Sequence, residues 1–125
     1  MTSDPMLPRV YAFDVDETLD VSDGPVPVAA LRALCEEGHI VGLCGNWAAF
    51  VRAVPEWHRI VSFVGPLGLS KADFLTQLRL HVRADGYVMV GNDPATGWGE
   101  SADREAAELS GWQFIREADF AAGAR

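Results

Sequence analysis

Apolar residues fall in short blocks set off by turn residues, and the blocks alternate between two periods. Val10-Tyr11-Ala12-Phe13 and Ile40-Val41-Gly42-Leu43 are continuous apolar runs, the pattern of strands buried on both faces of a sheet. Between them Val28, Leu31, Leu34 and Cys35 recur at helical spacing, and Gly38 stands where that helix would stop. The pattern predicts a strand over Arg9 to Phe13, a Gly- and Pro-rich loop over Asp20 to Pro27, a helix over Val28 to Glu37 and a strand over His39 to Cys44. A short helix over Trp47 to Val54, stopped near Pro55, and a strand over Ile60 to Val64 follow. Ser70 is an N-cap for a helix to about Arg83, with Leu75, Leu78 and Val82 as its buried stripe. A strand over Tyr87 to Val90, a polar loop over Gly91 to Ser101, a helix over Ala102 to Leu109 ended by Ser110-Gly111, and a strand over Trp112 to Ile115 complete the series. Residues 116–125 read as a tail of short helix and frayed end, and residues 1–8 as an N-terminal extension. Strands alternating with helices predict a doubly wound, Rossmann-like parallel sheet in a three-layer α/β/α single domain.

Composition narrows the function. At 125 residues and 49% apolar, the chain can bury one core. A formal net charge of −8 argues against a nucleic-acid partner, which needs clustered Lys and Arg. No apolar run is long enough to span a membrane. The first ten residues lack the basic start and apolar core of a secretory signal, and Cys35 and Cys44 are too few for a disulfide framework, so a cytoplasmic location is expected.

The candidate chemistry sits in Phe13-Asp14-Val15-Asp16-Glu17-Thr18-Leu19, directly after the first strand. Carboxylates at the carboxyl end of a strand in an open α/β sheet stand where ligands bind. With a spacing of two, one can react while its neighbour handles the proton. Further along, Lys71 opens a helix and Gly91-Asn92-Asp93 follows a strand.

Together, the Asp-x-Asp-x-Thr motif, Lys71, the Gly91-Asn92-Asp93 turn and the stretch Asp103 to Trp112 closely resemble the haloacid dehalogenase-like (HAD) phosphohydrolases, from Val10 to about Ile115. The resemblance implies that Asp14 is a nucleophile forming an aspartyl-phosphate, and that Asp16 is the general acid and base. It implies a Mg²⁺ cofactor held by the Asp14 carboxylate, the Asp16 backbone carbonyl and Asn92 or Asp93. Lys71 would stabilise the nucleophile and the phosphoryl group, and Thr18 would orient the loop. The implied substrate is a small phosphomonoester, since members that cleave carbon–halogen bonds lack the acid at the position of Asp16. Only about 25 residues separate Thr18 from Cys44, and about as many separate Asn46 from Lys71, each span already used by a helix and a strand. No cap domain is expected, and the open site suits a large substrate or a homo-oligomer in which a neighbour covers it.

Two motifs depart from the family. Its second strand ends in Ser or Thr, which grips a phosphate oxygen; here Cys44 or Gly45 takes that place. Backbone N–H groups of Gly45 and Asn46, with the Asn46 amide, are the substitute phosphate donors. Asn92 stands where the family has Asp, so either Asn92 ligates as a neutral donor or Asp93 is displaced to do so.

Plainer readings stand beside these. The acidic pair can be a solvated turn, Thr18 a local turn hydroxyl, Lys71 an exposed first-turn residue, and Asn92-Asp93 a simple turn. Asp103 reads equally as charge at a helix start or as a metal ligand. Cys44 reads as a small buried strand-end residue, Cys35 and Trp112 as core, and Trp47 and Trp98 as local packing or as lining of the open face. Two other functions remain: a degenerate domain that binds metal or a partner, favoured by Cys44-Gly45 and Asn92, and a phosphoacceptor receiver domain, disfavoured because the third strand ends in Gly65-Pro66 without an Asp.

Overall fold

The computed structural model describes residues 7–92 and 102–125. Five strands form one parallel sheet: β1 (Arg9–Phe13), β2 (Ile40–Cys44), β3 (Phe63–Gly65), β4 (Gly86–Gly91) and β5 (Gln113–Arg116). Their order is β3-β2-β1-β4-β5. The chain therefore winds outward from β1 in one direction, returns, and winds outward in the other. The place where the order reverses lies between β1 and β4, the switch point at which open α/β sheets bind ligands.

The continuous apolar runs have the cause anticipated for them, because the sheet is covered on both faces. Tyr11, Phe13, Val41, Leu43, Val88 and Val90 face one way and pack with helices α1 (Val28–Glu36), α2 (Trp47–Ala53) and α3 (Trp57–Ile60). Val10, Ala12, Cys44 and Met89 face the other way, against α4 (Lys71–His81) and α5 (Ala102–Ser110). The sequence signals that end these helices act as expected. Ser70 Oγ accepts the Asp73 N–H at 3.1 Å, capping α4. Gly38 and Gly111 sit at φ +93° and +78°, where α1 and α5 stop. Trp112 is buried and donates its indole N–H to the Leu75 carbonyl at 2.9 Å, tying β5 to α4.

Three elements differ from the sequence reading. Ile60 does not open a strand: it ends α3, and β3 starts only at Phe63. The β-branched pair Ile60-Val61 suggests a strand, but Trp57 and Ile60, three apart, both pack into one core, as a helical turn requires. The Val61 N–H closes that turn on the Trp57 carbonyl at 2.9 Å. Next, α4 stops at His81, because Val82 turns to extended backbone (φ −111°, ψ 115°). Lastly, residues 116–125 include the expected short helix, but it is packed onto the core rather than left as a loose tail. They hold α6 (Glu117–Ala121), whose Phe120 is fully buried with its ring 5.2 Å edge-on to Phe13. The Arg125 guanidinium stacks 4.1 Å above Phe120 and closes the chain over that contact. Among the described residues no helix is long and apolar enough to cross a membrane.

Candidate active site

The site begins where β1 ends. The Asp14 N–H donates to the Val90 carbonyl at 2.9 Å, so the sheet ladder carries Asp14 one residue beyond the strand and fixes it at the switch point. Here the chain leaves the sheet in a tight turn. Thr18 and Leu19 donate their N–H groups to the Val15 carbonyl, and Glu17 takes a left-handed φ of 59°. That reversal brings Ser22 back over Asp16, and the Glu17 N–H reaches the Ser22 carbonyl at 2.7 Å. Asp14 is 7% exposed, whereas Asp16 is exposed at the mouth.

Three side chains converge on the Asp14 carboxylate, and a second buried carboxylate, Asp103, braces two of them. From the start of α4, the Lys71 ammonium stands 3.2 Å from Asp14 Oδ1 and 2.6 Å from Asp103 Oδ1. From the end of β4, Asn92 Nδ2 donates to Asp14 Oδ2 at 3.1 Å and to the Asp16 carbonyl at 3.0 Å. The Asn92 backbone N–H donates to Asp103 Oδ2 at 3.1 Å. Thr18 Oγ1 donates a long bond of 3.4 Å to Asp14 Oδ2. Two glycines make this crowding possible by close approach. A Cβ at Gly45 would collide with Asp14 Oδ1, and one at Gly91 would collide with Asp103 Oδ2.

The electrostatics follow from two buried carboxylates sharing one ammonium. Burial, and behind it the charge of Asp103, pushes the Asp14 carboxyl up to about 6, against the opposing pull of Lys71. Burial disfavours the Lys71 ammonium, but Asp103 and Asp14 outweigh it and hold its pKa above the ordinary lysine value. Asp14 is therefore ionised, but reluctantly, near neutral pH.

Asp16 has a different environment. Its carboxylate accepts the Ser22 hydroxyl at 2.8 Å and the Asn46 amide at 3.1 and 3.4 Å. These neutral donors hold an exposed carboxylate at the mouth of the site.

The structure therefore brings Asp14, Asp16, Lys71, Thr18, Asn46 and Asn92 together. Asp93, like Trp98, lies outside the described residues. Thr18 and Cys44 are fully buried, so neither offers surface to a substrate; Thr18 steadies Asp14 instead. The thiol of Cys44 lies in the core beneath the site, and burial pushes it up to about 12, which keeps it from acting as a thiolate. The Gly45 N–H is not available for phosphate because it donates to the Gly65 carbonyl at 2.9 Å. What Gly45 supplies is room for Asp14. The Asn46 amide is engaged with Asp16 and does not cap α2. Trp47 packs partly buried against the core, the local reading of that residue.

Asp103, which the sequence left open between two roles, belongs to the site. It is 3% exposed and bound to Lys71. Ser22 was not foreseen, since its contact depends on a turn that no local signal announces.

The donor set for a cation can be tested on this geometry. Asp14 Oδ2 and the Asp16 carbonyl converge within 3.1 Å of a single atom, the hard-oxygen chemistry that suits Mg²⁺. That atom is Asn92 Nδ2. Among the described residues no group of three or more His, Cys, Asp and Glu side chains is placed to hold a metal ion. A cation here would thus rest on one carboxylate, one carbonyl and the Asn92 amide. Comparison with family models, with curated proteins and with solved structures finds no match to this chain.

Proposed function

We propose that the chain is a HAD-like, capless phosphohydrolase acting on small phosphomonoesters through an aspartyl-phosphate on Asp14. One observation carries this reading. A buried carboxylate stands at the switch-point end of the central strand beside an ammonium, with a second, exposed carboxylate two residues on, held by Ser22 and Asn46. A carboxylate oxygen of Asp14 attacks phosphorus and the ester P–O bond breaks. Asp16 gives its proton to the leaving alcohol oxygen. Water then attacks the phosphorus, Asp16 takes the proton, and the bond to Asp14 breaks to release phosphate. Lys71 offsets charge on Asp14 and on the phosphoryl oxygens throughout. Mg²⁺ is the proposed cofactor, held by Asp14, the Asp16 carbonyl and Asn92; when bound it supplies charge neutralisation between carboxylate and phosphate.

The test is phosphate release from a broad panel of phosphomonoesters, in Mg²⁺ and in EDTA, by the wild type and by Asp14→Asn. The amide is isosteric but a poor nucleophile, so release should fall by at least about 10³-fold with the fold intact. Undiminished release by the variant would end the aspartyl-phosphate mechanism. A second reading, a non-catalytic domain that binds a metal or a partner, is favoured by the Asn92 amide seated on Asp14 and by the engaged Gly45 N–H. It predicts no release from any compound.

A further inference from the structure

Asn92 stands where a carboxylate oxygen of Asp14 and the main-chain carbonyl oxygen of Asp16 converge. Its amide nitrogen carries two hydrogens, and the two oxygens lie at 3.1 and 3.0 Å, within the ordinary hydrogen-bond range. One NH₂ group therefore has an acceptor for each hydrogen. The residue is anchored from behind by its own backbone N–H on Asp103 Oδ2, an approach that Gly91 permits by having no Cβ. We propose that the Asn92 amide is a resident stand-in for the cation: it staples Asp14 to the Asp16 carbonyl when no metal is bound, and Mg²⁺ must displace that staple to bind.

The exchange is chemically simple. A half-turn about the terminal torsion of Asn swaps Nδ2 for Oδ1, two groups of almost equal size, and so replaces a donor facing the oxygens with a third oxygen facing a cation. The electrostatic reason for an amide is local. Asp14 and Asp103 already share a single ammonium, and Asp16 lies beside them. An aspartate at 92 would add another negative charge to this cluster, whose buried carboxylates already share the Lys71 ammonium. Asn92 instead stabilises the metal-free site and, being neutral, holds Mg²⁺ less strongly than a carboxylate would. The site is thus built to be intact without metal and to take it up weakly and reversibly. The proposal rests on the phosphohydrolase reading for the presence and identity of the cation, and its readouts need no turnover.

The experiment is calorimetric titration of Mg²⁺ into the wild type, Asn92→Asp and Asn92→Ala, with thermal melts of each in EDTA and in Mg²⁺. Asn92→Asp should bind Mg²⁺ at least about tenfold more tightly than the wild type, melt several degrees lower in EDTA, and recover in Mg²⁺. Asn92→Ala should also melt lower in EDTA but gain no affinity, which separates loss of the staple from gain of charge. Equal or tighter Mg²⁺ binding by the wild type than by Asn92→Asp would overturn the proposal, as would an Asn92→Ala melt identical to wild type in EDTA. The side-chain ¹⁵N signal of Asn92 in the wild type needs no aspartate variant. It should move on addition of Mg²⁺, and an unmoved signal at saturating Mg²⁺ would also overturn the proposal. Absent phosphate release with these results intact would count against the phosphohydrolase alone.

Discussion

The two ends of β1 are four residues apart and are built on opposite terms. At the carboxyl end, Asp14, Lys71, Asp103 and Asn92 are drawn together by contacts of 2.6–3.2 Å, and both carboxylates are almost wholly out of water. At the amino end, Arg9, Tyr11, Leu34, His39 and Arg125 line an open cavity of about 520 Å³. Polar contacts there are looser. His39 stands 3.9 Å from Glu37, and Arg9 reaches the Tyr11 hydroxyl at 3.3 Å and the Arg125 carbonyl at 3.1 Å, with water at hand. Charge stranded at the first end has nowhere to go, whereas solvent takes up any change at the second. Both ends are polar, but only one is organised so that each group depends on the others.

Removing Lys71 should break the contrast most severely. Lys71→Met removes the ammonium that both buried carboxylates share. Breaking a buried ion pair costs roughly 3–5 kcal/mol, and the partial exposure of Lys71 places the effect near the lower bound. Chemical denaturation at pH 7 measures it. The loss should shrink as pH falls: without the opposing pull of Lys71 the Asp14 carboxyl is pushed still higher, so it takes up a proton more readily and the repulsion with Asp103 is relieved.

The next effect is the pH dependence of stability in EDTA. The Asp14 carboxyl is raised from 3.8 to about 6, so between those values the folded state binds more protons than the unfolded chain. Stability then falls as pH rises through that window and levels off above it. By linkage the full shift corresponds to about 3 kcal/mol, an upper bound because Asp14 is coupled to its neighbours. Asp14→Asn should flatten the curve. An unchanged slope in that variant would mean that Asp14 is not the group responsible.

The smallest effect belongs to the other end. Arg9→Ala should cost less than about 1 kcal/mol and leave phosphate release unchanged. A large loss of release would show the two ends to be coupled through β1.

Most of the framework was legible in the residues because its signals are local. Apolar runs marked β1, β2 and β4, helical spacing marked α1, and Ser70 and Gly111 announced helix ends that the structure places beside them. What escaped reading was fixed by contacts distant in sequence. Ile60 looks like strand until Trp57 is seen packing beside it, and Phe120 looks like tail until Tyr11 and Phe13 receive it. The site divides in the same way. Asp14, Asp16 and Lys71 could be chosen from their places at element ends. That Asp103 serves Lys71, that Gly45 makes room rather than donates, and that Asn46 turns to Asp16 follow only from how separate crossovers meet.

Asp14 follows β1, Asn46 follows β2, Lys71 follows β3, and Asn92 and Asp103 lie at the two ends of the passage from β4 to α5, so these residues are delivered by four different strand-to-helix passages. The cluster exists only when all of those passages are in register at once, and no fragment of the chain can assemble it in advance. Whatever binds there is therefore linked to the whole cooperative unit: its binding energy is drawn on by global unfolding rather than by local opening, which makes ligand uptake a gauge of the integrity of the entire sheet.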